Sequence, residues 1–199
     1  EAGAKFYTGL QGDVQVPVMG KSNVFFEGEV ADAEDGAPEF SSVKLSPKRI
    51  TAYVDISRKT LIQATPDVEN AVITDLGNAL AEKVESTVFG SVSGSTTQFA
   101  GIFSEIPVSG TVATFADLVN KEADVEDANV GGEKVYVLSN KAKAGLRAMA
   151  KSAKSTELVY EKGEVDGTKA YNTSNVGGKN FVYGNFNDLA IGTWNTSIL

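Results

Sequence analysis

Cysteine and histidine are both absent from this chain of 199 residues. Without Cys there is no disulfide, no thiolate nucleophile and no cysteine-ligated zinc. Without His there is no Ser-His-Asp triad, no imidazole base and none of the commonest zinc or iron ligands. Any catalysis would have to rest on carboxylates, Lys, Ser or Tyr. No apolar run approaches the ~20 residues a membrane-spanning helix needs. Positive charge is also in short supply: 18 Lys and Arg stand against 26 Asp and Glu, a net charge of -8. Wrapping a duplex needs clustered cations that displace counterions, so tight nucleic-acid wrapping is disfavoured, whereas merely enclosing nucleic acid is not excluded. The start, Glu1-Ala2-Gly3-Ala4-Lys5, has neither an initiator Met nor a signal-peptide core, and the chain is expected to be a fragment.

What is present is ordinary for a globular protein: 42% hydrophobic and 22% charged residues, in a length sufficient for one sizeable domain or two small ones. The β-prone run at residues 24–30 and the run at 39–45 flank an acidic segment, 31–38, that contains Gly36 and Pro38. This pattern predicts a ribbon-like hairpin. Two strands cannot bury an apolar side by themselves, so such a ribbon is expected to lie on something else, with another copy of the chain a good candidate. Residues 13–19 alternate like a strand, with Pro17 favouring an edge. Residues 48–56 form a second β-prone run, and Ser57 could cap a short helix over 57–62. A long helix is predicted from Pro66 to Phe89, with Thr65 as N-cap and Asp67 and Glu69 at its positive end. Its apolar stripe is Val68, Val72, Leu76, Ala79, Leu80 and Val84. Gly77 inside it reads as a point of close packing.

Residues 91–113 read as a connecting loop anchored at Gly101-Ile102-Phe103. Beyond it the signals alternate. A helix capped by Thr114 comes first, then a short buried strand at 135–138 and a helix opening at Asn140. Strands at 181–184 and 189–192 follow, joined by the turn-former Asn185-Phe186-Asn187-Asp188.

Three segments and two carboxylate pairs invite a chemical reading, and none satisfies it. The acidic stretch at 122–129 fails the calcium-loop pattern: starting at Asp124 puts Ala128 where an oxygen ligand is needed, and starting at Asp127 puts Gly131 there. It reads as a solvated acidic turn. Gly177-Gly178-Lys179-Asn180 lacks the first Gly and the Ser or Thr of a phosphate loop. Gly90-Ser91-Val92-Ser93-Gly94 has Val92 where a nucleophile elbow needs Ser. The carboxylate pairs Glu27/Glu29 and Glu82/Glu85 read as solvated faces of a strand and a helix. Enzyme activity is not expected, nor is any cofactor or metal.

The succession of elements resembles the major capsid proteins of tailed bacteriophages, the fold first associated with phage Hong Kong ninety-seven. Carrying the resemblance are Phe40-Ser41-Ser42, the run Ile50-Thr51-Ala52-Tyr53-Val54-Asp55-Ile56-Ser57-Arg58, the helix that follows, and Tyr183-Gly184-Asn185-Phe186-Asn187-Asp188-Leu189-Ala190-Ile191-Gly192. It implies an α+β fold with an extended β-hairpin loop (24–45) and a peripheral domain (1–23 and 46–100) containing a spine helix (66–89). Residues 101–199 would form an axial α/β domain, and the chain would be truncated at both ends.

The implied role is that of a structural protein in a phage or prophage virion. It would self-assemble through hexamers and pentamers, in the bacterial cytoplasm, into an icosahedral shell enclosing double-stranded DNA. The implied partners are further copies of itself, with scaffold, portal or decoration proteins and weak non-specific contact with packaged DNA, and no membrane. Subunit-interface candidates are Phe25, Phe26, Asp32, Asp35, Phe40, Ser42, Lys44, Lys48 and Arg49. Some members crosslink through a Lys where this chain has Ser42; Lys44 is expected in the opposite register, sharing that face only through a bulge. A bacterial nanocompartment shell (encapsulin-like) has the same fold and is the alternative reading. A histidine-free hydrolase or carbohydrate-binding module is a third.

Overall fold

The computed structural model describes residues 2–20, 22, 37–58, 67–106, 108–128, 130–152 and 154–194. The chain divides into two compact units. One comprises Glu1–Lys5 and Lys48–Leu189, the other Phe6–Pro47 and Ala190–Leu199.

In the larger unit, helix α1 runs from Asp67 to Val88, as its periodicity predicts; Thr65 and Pro66 lie outside the described residues, as do residues 59–62 of the short helix expected before it. The helix is largely solvent-facing. Val68, Val72, Leu76 and Val84 of the stripe are half-buried, whereas Ala79 and Leu80 are exposed. Gly77 does not mark close packing, since a Cβ there would meet nothing within 4 Å. The close approach is at the helix end instead. A Cβ on Gly101 would lie 2.0 Å from the Gly90 carbonyl oxygen and 2.8 Å from that of Thr87. Gly101 N–H also donates to Val92 O at 3.1 Å, closing the Ser- and Gly-rich loop at its base.

Helix α2 (Ile102–Glu105) is one short turn. Helix α3 (Phe115–Asp127) opens on a capping box: Thr114 Oγ1 accepts from Asp117 N–H, and the Asp117 carboxylate accepts from Thr114 N–H. The helix continues through Asp127, so residues 122–127 are helical rather than the acidic turn expected. Ion pairs offset the unfavourable acids of its last turns: Lys121 with Asp124 at 2.9 Å and Lys134 with Glu126 at 3.4 Å.

The core forms around β4 (Val135–Ser139), all five residues of which are buried. It is one of the three inner strands of a five-stranded mixed sheet ordered β5-β6-β7-β4-β8. The other strands are β5 (Tyr160–Glu161), β6 (Glu164–Val165), β7 (Thr168–Thr173) and β8 (Phe181–Gly184). β4 runs parallel to β7, with Tyr136 beside Ala170, and antiparallel to β8, with Tyr136 beside Tyr183. Alternation along β4 sends its side chains into two cores. Tyr136 and Leu138 pack with Leu118 of α3, with Val159, Tyr160 and Val165, and with Leu146 of helix α4 (Asn140–Ala148). Val135 and Val137 pack with Val176 and Phe186, against which Phe89 and Phe103 rest. Burial on both faces explains why β4 reads as a continuous apolar run. Ser139 ends the strand and caps α4, its Oγ accepting from Ala142 N–H at 3.0 Å. Two tight turns join β5 to β6 and β6 to β7. Both central residues have positive φ in each: Lys162 (50°) with Gly163 (95°), and Asp166 (48°) with Gly167 (84°).

In the smaller unit, β2 (Val14–Met19) pairs antiparallel with β3 (Phe40–Leu45) in a register from Val14 opposite Leu45 to Met19 opposite Phe40. The partner of the 40–45 strand is therefore the 14–19 strand; residues 24–30 lie outside the described residues. β1 (Lys5–Tyr7) pairs with β9 (Ala190–Gly192). Nearby, Thr193 N–H donates to Tyr7 O at 2.8 Å, and Trp194 Nε1–H to Gly12 O at 2.7 Å. The β-prone run at 48–56, in the larger unit, forms no strand. Among the described residues no strand lies alongside it, and propensity without a partner strand does not make a sheet.

Candidate subunit interface

Strand alternation sorts the β2–β3 hairpin into two faces, because residues directly opposite across an antiparallel pair share a face. Val14, Val16, Val18, Ser41, Val43 and Leu45 lie on one; Gln15, Pro17, Met19, Phe40, Ser42 and Lys44 lie on the other. Apolar side chains stand out from both. Phe40 is 74% and Met19 65% exposed, and Val18 and Val43 are exposed on the opposite face. Pro17 is tolerated because a two-stranded sheet consists of edges.

Of the predicted interface residues, the structure brings Phe40, Ser42 and Lys44 together on one face. This corrects the expected register: Lys44 follows Ser42 by two in a regular strand, so the two share a face without a bulge. The Lys44 amine is held by Asp13 at 2.6 Å. Lys48 belongs to the other unit and is engaged within its own chain, Nζ donating to the carbonyl oxygens of Ser95 at 2.8 Å and Thr96 at 3.2 Å. Arg49 is exposed. Phe25, Phe26, Asp32 and Asp35 lie outside the described residues. The sequence reading missed Met19, Val18 and Val43. Val14, Val16 and Val18 alternate, but finding Met19 opposite Phe40 and Val43 opposite Val16 required the pairing of 14–19 with 40–45.

Glu122, on α3, accepts a hydrogen bond from the hydroxyl of the core residue Tyr136. Burial pushes the Glu122 carboxyl above its ordinary range, the Tyr136 hydrogen bond opposing the shift. Burial and the Glu122 carboxylate together drive the Tyr136 hydroxyl far up. The hydrogen bond satisfies the polar end of the buried Tyr136 side chain. Glu82 and Glu85 line an open polar cleft of about 540 Å³ with Asn78, Asn140, Asn172 and Asn175. Among the described residues no three carboxylates converge as a metal cage, and no helix is long and apolar enough to cross a membrane.

The chain matches the model of the phage capsid family over residues 4–198. It is 27% identical over 201 residues to the major capsid protein of Halomonas phage phiHAP-1, an alignment that takes in 96% of this chain and 33% of that protein. The chain thus spans about a third of that curated relative's length. The fold is similar to the capsid of an empty GTA particle, with a TM-score of 0.77 at 14% identity over 97% of this chain and 75% of the other. It is similar also to a structure from Microbacterium phage Oxtober96, with a TM-score of 0.71 at 16% identity over 98% and 72%. The α+β capsid fold that the order of elements implied is therefore the fold observed, and the chain belongs to the phage capsid family.

Proposed function

We propose that this chain is the shell-forming part of a phage or prophage major capsid protein, whose copies assemble into an icosahedral container for double-stranded DNA within the virion. The observation that carries the reading is the β2–β3 pair, which exposes Met19, Phe40, Val18 and Val43 on two faces, with no second layer over it among the described residues of its own unit. Apolar side chains in this density on a two-stranded ribbon favour burial against another surface. In a chain of this family that surface is a neighbouring copy. Phe40, Ser42 and Lys44, with Phe25, Phe26, Asp32, Asp35 and Arg49, are the proposed contact residues. Residues 24–45 would act as the extended loop, α1 as the spine of a peripheral domain, and residues 101–199 as the axial domain. Scaffold, portal and decoration proteins would be partners of the assembling particle, and the acidic balance keeps contact with packaged DNA weak.

The test is electron microscopy with mass measurement of the complete gene product, expressed with its scaffold and protease. Closed shells are expected. A strictly monomeric product under those conditions would refute the reading.

A further inference from the structure

Cations are unevenly distributed in this acidic chain. Residues 140–180 hold eight Lys or Arg against four Asp or Glu, where the whole chain has 18 against 26. Three of the eight, Lys143 and Arg147 of α4 and Lys162 of the β5–β6 turn, converge on a groove of about 430 Å³, completed by Leu158, Tyr160, Glu161 and Gly163. Lys143 is held in place from two sides. Its Nζ donates to Asn172 Oδ1 at 3.0 Å and lies 5.5 Å from the centroid of the Tyr160 ring, itself part of the core. Lys151, nearby in sequence, is already neutralised by Asp166 at 2.6 Å. Among the described residues, Arg147 and Lys162 enter no ion pair.

Lys162 sits in a conformation that does not suit it. A two-residue hairpin turn with positive φ at both central positions favours Asn, Asp or Gly at the first. The neighbouring turn obeys this rule with Asp166-Gly167, whereas the first turn places Lys162 at φ 50°. The backbone cost brings a free ammonium to the mouth of the groove. A strained position at a convergence of unpaired charge points to a ligand that uses the charge.

We propose that this groove receives an acidic side chain from a second copy of the chain, with Lys143, Arg147 and Lys162 as its receptor. The inference rests on the shell-forming reading above. Outside residues 140–180 the chain carries 22 of its 26 acids, so a second copy offers carboxylates in excess of its own cations. The fit also favours a discrete side chain over a polyanion. Glu161 and Glu164 face each other across the turn that carries Lys162, and a phosphodiester strand crossing it would run over both. A single carboxylate entering between α4 and the turn meets only Glu161, which lines the groove beside three cations. Contacts of unlike patches are heterologous, the kind that closes rings.

The experiment uses the full-length protein and the double variant K162N/R147Q. Asn suits the turn better than Lys, so the variant should unfold no earlier than the parent by thermal melting. Its assembly should nevertheless need about a tenfold higher protein concentration and respond less to added salt. In particles assembled from mixed ¹⁴N- and ¹⁵N-labelled subunits, zero-length carbodiimide coupling should join Lys143 or Lys162 to an acidic residue of a different copy. Assembly of the double variant at parental concentration, or intersubunit links that never involve these lysines, would overturn the proposal while leaving the shell reading intact. A gel shift of the parent by duplex DNA that the double variant loses, with assembly unchanged, would also overturn it and assign the groove to phosphates. A full-length protein that stays monomeric would refute both.

Discussion

At Gly101, added volume has nowhere to go. The backbone there has an ordinary negative φ, so the demand for glycine is steric: the Gly90 carbonyl occupies the place of a side chain. Gly101→Ala must push the loop base away from the end of α1, and should destabilise the chain by about 3 kcal/mol. Gly77→Ala is the control. It adds a methyl in open space within a helix and should stabilise by about 0.5–1 kcal/mol. Denaturant titration of both variants checks the pair, and a result in which Gly77→Ala is the more damaging would place the close contact wrongly.

Glu122 makes a second test at a single side chain. Its native carboxyl is raised above the ordinary 4.5, first by burial, so the native state holds the proton more tightly than the unfolded chain. Its contribution to stability is therefore fully present below pH 4.5 and declines as pH rises through the elevated native value. Glu122→Gln removes that decline and keeps an acceptor for Tyr136, so the variant should match or exceed the parent at neutral pH. Glu122→Ala leaves the Tyr136 hydroxyl unpartnered and should cost about 1–3 kcal/mol. Melting temperatures across pH 4–8 separate the two; an unchanged slope in Glu122→Gln would remove Glu122 as its source.

Among the elements, α3 carries the plainest local signal. Thr114 and Asp117 close its first turn, and the Thr114 hydroxyl and backbone hold the Asp117 carboxyl below its usual range. Thr114→Ala should cost about 1 kcal/mol, with a loss of far-ultraviolet helicity on heating as the readout. Asp117 works in the opposite sense to Glu122: its lowered native value means its contribution is kept at neutral pH and lost as pH falls through that value.

The elements most readable in the sequence were those whose signals are local: the 3.6-residue period of α1, the Thr114 cap of α3, and the unbroken apolar run of β4. Those missed depended on partners distant in sequence. Residues 48–56 have strand-forming side chains but no neighbouring strand among the described residues, and 122–127 look like a turn until ion pairs with Lys121 and Lys134 allow the helix to continue. The 40–45 strand found its partner at 14–19, across more than twenty residues, which periodicity alone cannot choose. The site was half legible for the same reason. Phe40 and Lys44 could be named from their strand, but Met19 opposite Phe40 needed the register, and Lys162 gave no sign until its backbone angle was seen.

For the whole molecule, the division between stability and assembly falls at different residues. Met19 and Phe40 stand in solvent in the single chain, so Met19→Ser with Phe40→Ser should leave the unfolding midpoint within about 0.5 kcal/mol of the parent. The same variant should fail to form particles, seen by sedimentation or electron microscopy of the full-length product. If unfolding shifted strongly while particles still formed, the hairpin would be a core element of its own subunit.

The pinned loop between α1 and α2 also bears on engineering. Its base is fixed by the Gly90–Gly101 contact and the Gly101-to-Val92 hydrogen bond, while residues 91–97 are exposed. With both ends anchored, the span between them does not change when the tip grows, and doubling such a loop costs only about 0.6 kcal/mol in closure entropy. The tip beside Thr97 is therefore a natural place to graft a foreign peptide, and a shell built from this chain would present that graft once per subunit, as a regularly spaced display lattice.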